Sequence, residues 1–221
     1  MMRGGTDKPL PREFTGSSHD DETSRTDPGP ARLYFEGMRL FFAISIPDAA
    51  CDAVAEALRP LRPLGPNVNW MRRSTFHLTL RFLGDVAPDR VDALVDAVSP
   101  WVRRFPPPTI TLSGGGAFPN AHQPRVLWLG VHGGLEPLAD AIDRAVLRLG
   151  FPPDEKRFVP HLTVGRVREG RADHVAAALL DVREVARFTP TTVTLYESHQ
   201  GPEGARYEVV RELTTVAVAA A

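Results

Sequence analysis

Residues 77–84 read His-Leu-Thr-Leu-Arg-Phe-Leu-Gly, and the tripeptide His-Leu-Thr at their start occurs again at residues 161–163, 84 positions later. A single His-x-Thr triplet is a weak signal, because these residue types are common in strands. Alternate side chains of a strand point to the same face, so each copy presents an imidazole and a hydroxyl to one side. The repetition therefore predicts two strands that can face each other across a cleft.

The similarity between the two copies extends well beyond the tripeptide. At the same offset Asp89 aligns with Asp173, and after one deletion the pattern Arg-Phe-x-Pro-x-Thr-[Ile/Val]-Thr-Leu of residues 104–112 occurs again at 187–195. Solenoid repeats have periods of about 20 to 50 residues, so this longer period favours a duplication into two lobes around a pseudo-twofold axis. Equivalent strands meet in that arrangement, which brings the two histidines together.

Each copy predicts the same order of elements, namely strand, helix, His-x-Thr strand, helix and strand. In the segments expected to be helical, apolar residues recur every three or four positions. The expected elements around the motifs are strands over 40–46 and 126–131, helices over 48–58 and 135–149, and a last strand over 206–218.

The first 37 residues differ in composition from the rest of the chain. Gly, Ser, Thr, Asp, Pro and Arg dominate there without an apolar run, so a packed fold is not expected. We interpret 1–37 either as a disordered tail or as a mis-assigned start, with Met38 as the true one, and 38–221 as the two-lobed domain. Neither a secretory signal nor an apolar stretch of about 20 residues is present, which predicts a cytoplasmic protein without a membrane partner.

The charge balance limits the kind of partner that the protein can bind. Lys and Arg number 26 against 27 Asp and Glu, for a net charge of −1, so a broad basic surface for a long nucleic acid is not expected. Any contact with nucleic acid should be local. The single cysteine, Cys51, excludes an internal disulfide and a Cys-rich metal site.

The two histidines suit acid and base catalysis on a phosphodiester. Their ordinary pKa near 6.5 leaves both protonation states accessible at neutral pH. In-line displacement at phosphorus needs a base on the attacking oxygen, an acid on the leaving oxygen and donors on the non-bridging oxygens. Thr79 and Thr163, two residues beyond His77 and His161, would supply those donors.

The two histidines have two other possible roles. For a single motif the simplest one is a hydrogen-bonded core histidine, but the duplicated context argues against it. Histidine is also the commonest metal ligand. Metal sites usually add a third His, Cys or carboxylate at short spacing, and neither motif carries one, so we predict no metal and no other cofactor.

The motifs His77-Leu78-Thr79-Leu80 and His161-Leu162-Thr163-Val164 resemble those of the 2H phosphoesterases, in particular the bacterial RNA 2',3'-cyclic phosphodiesterase branch, historically called 2'-5' RNA ligase. Residues 39–44, 125–130 and 160–166 support the likeness, which extends from about Met38 to the C-terminus. It implies an α+β, bilobal duplicated fold with an antiparallel sheet in each lobe, helices packed outside and a central cleft carrying both HxTx motifs.

The resemblance also implies the reaction. It is the metal-independent hydrolysis of RNA 2',3'-cyclic phosphate termini to 2'-phosphate, with His77 as the proton donor to the leaving 3'-oxygen and His161 as the proton acceptor from water. Weak 2'-5' ligation would be its reverse. The expected partners are RNA 3' ends or cyclic nucleotides, bound by a monomer. The alternatives are a cyclic phosphodiesterase acting on a small nucleotide or an ADP-ribose derivative, and a non-catalytic RNA- or nucleotide-binding module. Since all four motif residues are present, binding alone is disfavoured.

The resemblance further suggests that Phe82 stacks on a base and that Arg166 binds phosphate. Both lie five residues beyond a motif histidine, so an ideal strand would turn them away from it, with Phe82 then packing in the core. A bulge or strand end is needed, which Gly84 and Gly165 allow.

Two more arginines and a late aromatic group are candidates from their positions alone. Arg81 lies four residues beyond His77 and therefore on the same face of an ideal strand, and Arg157 precedes the second motif. Each is either a substrate contact or a surface charge. Tyr196, His199 and Tyr207 surround a Gly-Pro turn and are either a base platform or packed strand side chains.

Overall fold

The structure is a computed structural model that describes residues 37–154, 156–202 and 204–215. The predictions for the first 36 residues and for the end of the last strand beyond residue 215 lie outside these ranges. None of the helices described is both long enough and apolar enough to cross a membrane.

The order of elements follows the prediction from the repeat, with one additional short strand in each copy. The four helices of the described ranges are α1 (Asp48–Leu58), α2 (Val91–Arg104), α3 (Glu136–Leu147) and α4 (Asp173–Leu180). The nine strands of the same ranges are β1 (Met38–Ser45), β2 (Val68–Trp70), β3 (His77–Val86), β4 (Ile110–Phe118), β5 (Val126–His132), β6 (His161–Val167), β7 (Ala186–Phe188), β8 (Thr192–Gly201) and β9 (Gly204–Thr214). The helix predicted over 48–58 is confirmed, and the one predicted over 135–149 is shorter at both ends.

The strands form two antiparallel sheets. The first has four strands in the order β3-β1-β8-β9, and the second has five in the order β2-β6-β5-β4-β7. Each sheet contains one of the His-x-Thr strands, β3 in the first and β6 in the second. The predicted α+β fold with an antiparallel sheet in each lobe is therefore confirmed.

The lobes do not coincide with the halves of the sequence. The last strand of the first copy, β4, pairs with β5 of the second copy, and the last strand of the second copy's repeat, β8, pairs with β1 of the first. Helices are exchanged as well, because α1 and α4 pack on the five-stranded sheet while α2 and α3 pack on the four-stranded sheet. Each lobe thus needs both halves of the chain.

The core lies between each sheet and its helices. On β1, Leu40, Phe42 and Ile44 are almost completely buried, as expected for one face of a strand. Helix α2 buries residues three or four positions apart, from Val91 to Val102. Each large side chain buried in this way contributes about 1.5–3 kcal/mol, which holds the sheets rigid behind the cleft.

Both His-x-Thr strands contain a register shift directly after the threonine. Ala43 pairs with Thr79 but Phe42 pairs with Arg81, so Leu80 is the extra residue of β3. Likewise, β5 pairs with Thr163 and then with Gly165, which makes Val164 the extra residue of β6. The expected bulges therefore exist. Each motif strand has one directly after its threonine, and β3 has a second one beside Gly84, because Phe41 pairs with Phe82 but Leu40 pairs with Gly84. Beyond each bulge the parity of the strand is reversed.

Candidate active site

The two motif histidines are held in the same way at the starts of their strands. In β3, Nδ1 of His77 lies 2.8 Å from the carbonyl oxygen of Thr75. In β6, Nδ1 of His161 lies 2.7 Å from the carbonyl oxygen of Val159. A carbonyl can only accept a hydrogen bond, so Nδ1 is the protonated nitrogen of each ring. Nε2 of both rings is consequently available for a substrate.

The two imidazoles are close enough to influence each other electrostatically. Burial is the main cause that lowers the pKa of His77, to about 4, and the positive charges of His161 and Arg166 lower it further. Burial also lowers the pKa of His161, with a contribution from Arg166. A buried imidazole loses the hydration that favours its cation, so both rings favour the neutral form in the free protein.

Aromatic rings surround His77. The ring of Tyr207 meets it edge-on, with centroids 4.8 Å apart and planes at 80°. Phe41 lies at 5.0 Å and Tyr196 at 6.3 Å, and the rings of Phe41 and Tyr196 stack on each other at 5.4 Å. These rings exclude water from one side of the imidazole, which is the physical basis of its lowered pKa.

His161 has a smaller aromatic wall. Phe118 contacts it edge-on, with centroids 5.0 Å apart and planes at 85°, and Trp128 lies at 6.4 Å. The indole of Trp128 lies against Gly116, where an added Cβ would come within 2.7 Å of the ring. A glycine at this position therefore makes room for the tryptophan behind the histidine.

Thr79 and Thr163 share a strand face with their histidines and are half-buried. Within the described ranges, neither hydroxyl has a hydrogen bond to the protein. Both hydroxyls are therefore available as donors to a ligand beside the two imidazoles.

The bulges turn Phe82 and Arg166 to the cleft side. Phe82 pairs with Phe41 in the sheet, its ring lies 5.6 Å from that of Phe41, and 59% of the residue is exposed. Arg166 is exposed on β6, and its charge lowers the pKa values of His77, His161 and Tyr207. The guanidinium therefore lies near groups of both lobes.

The prediction that Arg81 contacts a substrate or forms a surface charge is wrong. Arg81 is only 4% exposed, and its guanidinium makes 2.7 Å contacts with Asp143 and Asp154. It also donates to the carbonyl oxygens of Phe82, at 2.7 Å, and Pro152. The bulge at Leu80 reverses the parity on which the prediction depended and turns Arg81 away from His77.

The structure agrees differently with the predictions for Arg157 and for the group of Tyr196, His199 and Tyr207. Arg157 is exposed before β6 and has no ion pair within the described ranges, so a substrate contact there stays a prediction. The tyrosines and His199 do not form one platform. His199 lies near the carboxylates of Glu197 and Glu208, on the face opposite Tyr196, as side-chain alternation requires.

Within the described ranges, no three His, Cys, Asp or Glu side chains are grouped so that they could hold a metal ion.

With this geometry established, comparison with known proteins identifies the family. The profile of the 2'-5' RNA ligase superfamily matches residues 46–202. The chain belongs to this superfamily. The resemblance to 2H phosphoesterases found in the sequence is thus confirmed, together with the predicted enzyme class, a cyclic phosphodiesterase.

Curated relatives of this superfamily member come from distant organisms. The RNA 2',3'-cyclic phosphodiesterase of Methanothermobacter thermautotrophicus is 31% identical over 77% of this chain and 95% of its own length. The protein of the same name from Thermotoga maritima is 32% identical over 79% of this chain and 94% of its own length.

Solved structures of the superfamily share the fold. E. coli LigT in complex with 3'-AMP is 26% identical, has a TM-score of 0.67 and is matched over 82% of this chain and 99% of its own. TT0787 of Thermus thermophilus is 26% identical, has a TM-score of 0.66 and is matched over 80% of this chain and 97% of its own.

Sequence reasoning missed several side chains of this 2'-5' RNA ligase superfamily site. Phe41, Phe118 and Trp128 were not singled out, although all three contact a motif histidine. Phe41 and Trp128 lie on β1 and β5, the neighbours of β3 and β6, and Phe118 lies on β4, one strand further from β6. These strand positions are the signal that the sequence offers. These strand positions predict a contact with a histidine only when the pairing register of the strands is known, and the register depends on the bulges.

Proposed function

We propose that this superfamily member hydrolyses the 2',3'-cyclic phosphate ends of RNA to 2'-phosphates without a metal ion, with His77 as the acid and His161 as the base. The observation that carries the proposal is the matched pair of imidazoles. In both, Nδ1 carries a proton and donates it to a backbone carbonyl oxygen two residues earlier, which leaves Nε2 available, and both lie near the charge of Arg166.

The reaction needs one proton transfer at each histidine. Nε2 of His161 accepts a proton from a water molecule as that water attacks phosphorus. The bond between phosphorus and the 3'-oxygen breaks, and His77 gives the proton on its Nε2 to that oxygen. The products are a 3'-hydroxyl and a 2'-phosphate. Afterwards the proton has moved from one imidazole to the other, and exchange with solvent resets the pair.

Charge on the phosphate is stabilised by donors around it. Arg166 and the hydroxyls of Thr79 and Thr163 would bind the non-bridging oxygens, where negative charge increases in the transition state. Phe82, exposed at the cleft, offers its face for stacking on a base, which is worth about 1–3 kcal/mol. Arg157 is a further candidate for a phosphate contact.

The substrate itself helps to set the protonation of His77. In the free protein burial keeps this imidazole neutral, with a pKa of about 4, and a neutral ring carries no proton on Nε2 to donate. A phosphate anion in the cleft favours the imidazolium and raises the pKa. Binding of the anion therefore brings the acid into its working state.

The known relatives support an RNA end as the substrate. Those of M. thermautotrophicus and T. maritima are named RNA 2',3'-cyclic phosphodiesterases, and E. coli LigT has been solved with 3'-AMP, ATP and NADP+. The net charge of −1 favours recognition of a chain end over a long RNA. Since water is in large excess, weak 2'-5' ligation, in which a 5'-hydroxyl replaces water as the nucleophile at the cyclic phosphate, would be the minor reaction. A cytoplasmic location and a monomeric state stay predictions from the sequence.

The test compares hydrolysis of a dinucleotide ending in a 2',3'-cyclic phosphate with hydrolysis of a nucleoside 2',3'-cyclic phosphate, both in EDTA. The expected product is a 2'-phosphate, with the dinucleotide preferred. His77→Ala and His161→Ala should each lower kcat/KM by about 10²- to 10⁴-fold. His132→Ala, which changes an exposed histidine at the end of β5, is the matched control and should leave the rate unchanged.

Four results would count against the proposal. Loss of wild-type activity in EDTA would contradict metal independence, and full activity in either histidine variant would contradict the acid and base roles. A preference for the mononucleotide would indicate that the substrate is a small cyclic nucleotide or an ADP-ribose derivative. Binding without turnover would favour the non-catalytic module.

A further inference from the structure

A tyrosine from the C-terminal hairpin lies directly against the first catalytic histidine. In the β8–β9 pair Tyr207 is opposite Ser198, so it shares the cleft face with Tyr196. Its ring is edge-on to His77 at 4.8 Å and edge-on to Phe41 at 5.2 Å. The hairpin therefore places a phenol beside the acid, about 130 residues later in the chain.

The two tyrosines of this hairpin differ in what their hydroxyls do. The hydroxyl of Tyr196 is 2.7 Å from Oγ of Ser45, which is also 3.1 Å from Oγ1 of Thr194. Within the described ranges, the hydroxyl of Tyr207 has no hydrogen-bond partner. Tyr196 is thus committed to the sheet, whereas the half-buried Tyr207 keeps a free donor.

The groups nearest to Tyr207 identify what that donor can bind. Burial raises the pKa of the phenol, and the nearby charge of Arg166 opposes the shift, so the hydroxyl stays protonated at neutral pH. Arg166 can only donate hydrogen bonds, and His77 in its acid form likewise only donates. All three groups can donate to the same acceptor, and the two positive charges favour an anionic oxygen as that acceptor.

We propose that Tyr207 is a further catalytic residue whose hydroxyl donates a hydrogen bond to a non-bridging oxygen of the phosphate held between His77 and Arg166. The inference rests on the proposed function, because it assumes a phosphate in the cleft. It adds a donor from the hairpin to the two threonines and the arginine. The hairpin thereby contributes directly to the chemistry as well as to the four-stranded sheet.

The test begins with matched phenylalanine variants. Tyr207→Phe removes the free hydroxyl and keeps the ring, and should lower kcat/KM on the cyclic phosphate by about 10- to 100-fold. Tyr196→Phe keeps its ring beside Phe41 and removes a hydroxyl that is already bound to Ser45, so it should lower stability slightly and reduce kcat/KM much less than Tyr207→Phe does. Equal rates for wild type and Tyr207→Phe would overturn the proposal.

A second measurement separates a contact with the phosphate from a structural effect. The two diastereomers of a nucleoside 2',3'-cyclic phosphorothioate each replace one non-bridging oxygen with sulfur, a poorer acceptor. Sulfur substitution should slow the wild type relative to the all-oxygen substrate. For the diastereomer whose sulfur faces Tyr207, this rate ratio should be smaller in Tyr207→Phe, whereas for the other diastereomer it should be the same in both proteins. Unchanged slowing for both diastereomers would show that the hydroxyl does not contact the phosphate.

A binding experiment keeps this inference separate from the proposed function. Should the wild type not hydrolyse cyclic phosphates, the proposed function fails, but titration with 2'-AMP still tests Tyr207. Weaker binding by Tyr207→Phe than by both the wild type and Tyr196→Phe would support the contact. Equal affinities for all three proteins, or no binding by the wild type, would overturn it.

Discussion

At the scale of single residues, each motif histidine is oriented by a carbonyl oxygen two positions earlier, Thr75 for His77 and Val159 for His161. A backbone acceptor fixes the tautomer without adding a second titrating group. This differs from the carboxylate partner of a Ser-His-Asp triad, which stabilises the imidazolium by its charge. Among the described residues no carboxylate contacts either imidazole, so a bound phosphate would supply the negative charge and the site favours a protonated acid when the anion is present.

The buried imidazole of His77 should make the protein sensitive to acid. Its pKa of about 4 in the folded state lies below the unfolded value near 6.5, so the unfolded chain binds the proton more tightly. Its contribution to stability is complete above pH 6.5 and is lost as the pH falls toward 4, at a cost of up to about 3 kcal/mol.

Urea unfolding at neutral pH and near pH 4.5 measures this effect. His77→Gln should lose clearly less stability between the two conditions than the wild type, while His132→Gln should lose as much as the wild type. The same loss in His77→Gln as in the wild type would show that the imidazole is not the acid-sensitive group.

The motif residues could be predicted from the sequence because their spacing repeats, and four side chains at equivalent positions are a strong signal. Their hydrogen-bond partners could not. Thr75 and Val159 act through main-chain oxygens, whose direction depends on the loop before each strand and not on side-chain identity.

At the scale of elements, the bulges after Thr79 and Thr163 decide which later side chains reach the cleft. Phe82 and Arg166 lie five residues beyond their histidines, so they can share the histidine face only if the strand contains a bulge. Each motif strand has a bulge after its threonine. The same bulge turns Arg81 inward, which the sequence did not indicate. A bulge changes the direction of every residue that follows it, and the apolar pattern of a short strand does not locate it.

The buried Arg81 should stabilise the site from behind. It joins β3 to Asp143 of α3 and to Asp154, and it donates to the carbonyl oxygen of Phe82. Arg81→Met leaves these acceptors without a donor, so unfolding should become easier by about 2–4 kcal/mol. The loss is below that of a fully buried pair because Asp154 is half exposed.

Chemical denaturation of Arg81→Met and of a control, Arg39→Met at an exposed position of β1, measures this contribution. The control should change stability by less than about 0.5 kcal/mol. A change that small in Arg81→Met as well would mean that the ion pairs only offset the cost of burying the guanidinium.

At the scale of the whole molecule, the exchange of β4 and β8 joins the two copies into one folding unit. The repeat predicted two lobes around an axis, but it did not predict which copy β4 and β8 would pair with. The pattern of residues 104–112 and 187–195 is the same in both copies. Strand partners depend on long-range packing, which local sequence does not specify.

This exchange predicts that neither copy folds alone. A fragment of residues 38–122 has β1 without β8 and β4 without β5, so its strand edges and apolar faces stay uncovered. Circular dichroism and urea unfolding of this fragment and of 123–221 should show no cooperative transition, unlike the domain from Met38 onward. A cooperative transition in either fragment would contradict the exchange as an obligatory part of the fold.

The central claim is that His77 gives a proton and His161 takes one, and the pH dependence of kcat/KM in single variants tests it most directly. The wild type should show a bell centred below pH 6.5, because both pKa values are lowered. His77→Ala, which lacks the acid, should lose the fall at high pH, and His161→Ala, which lacks the base, the fall at low pH. A flat wild-type profile from about pH 5 to about pH 9, or both falls kept in either variant, would contradict the account.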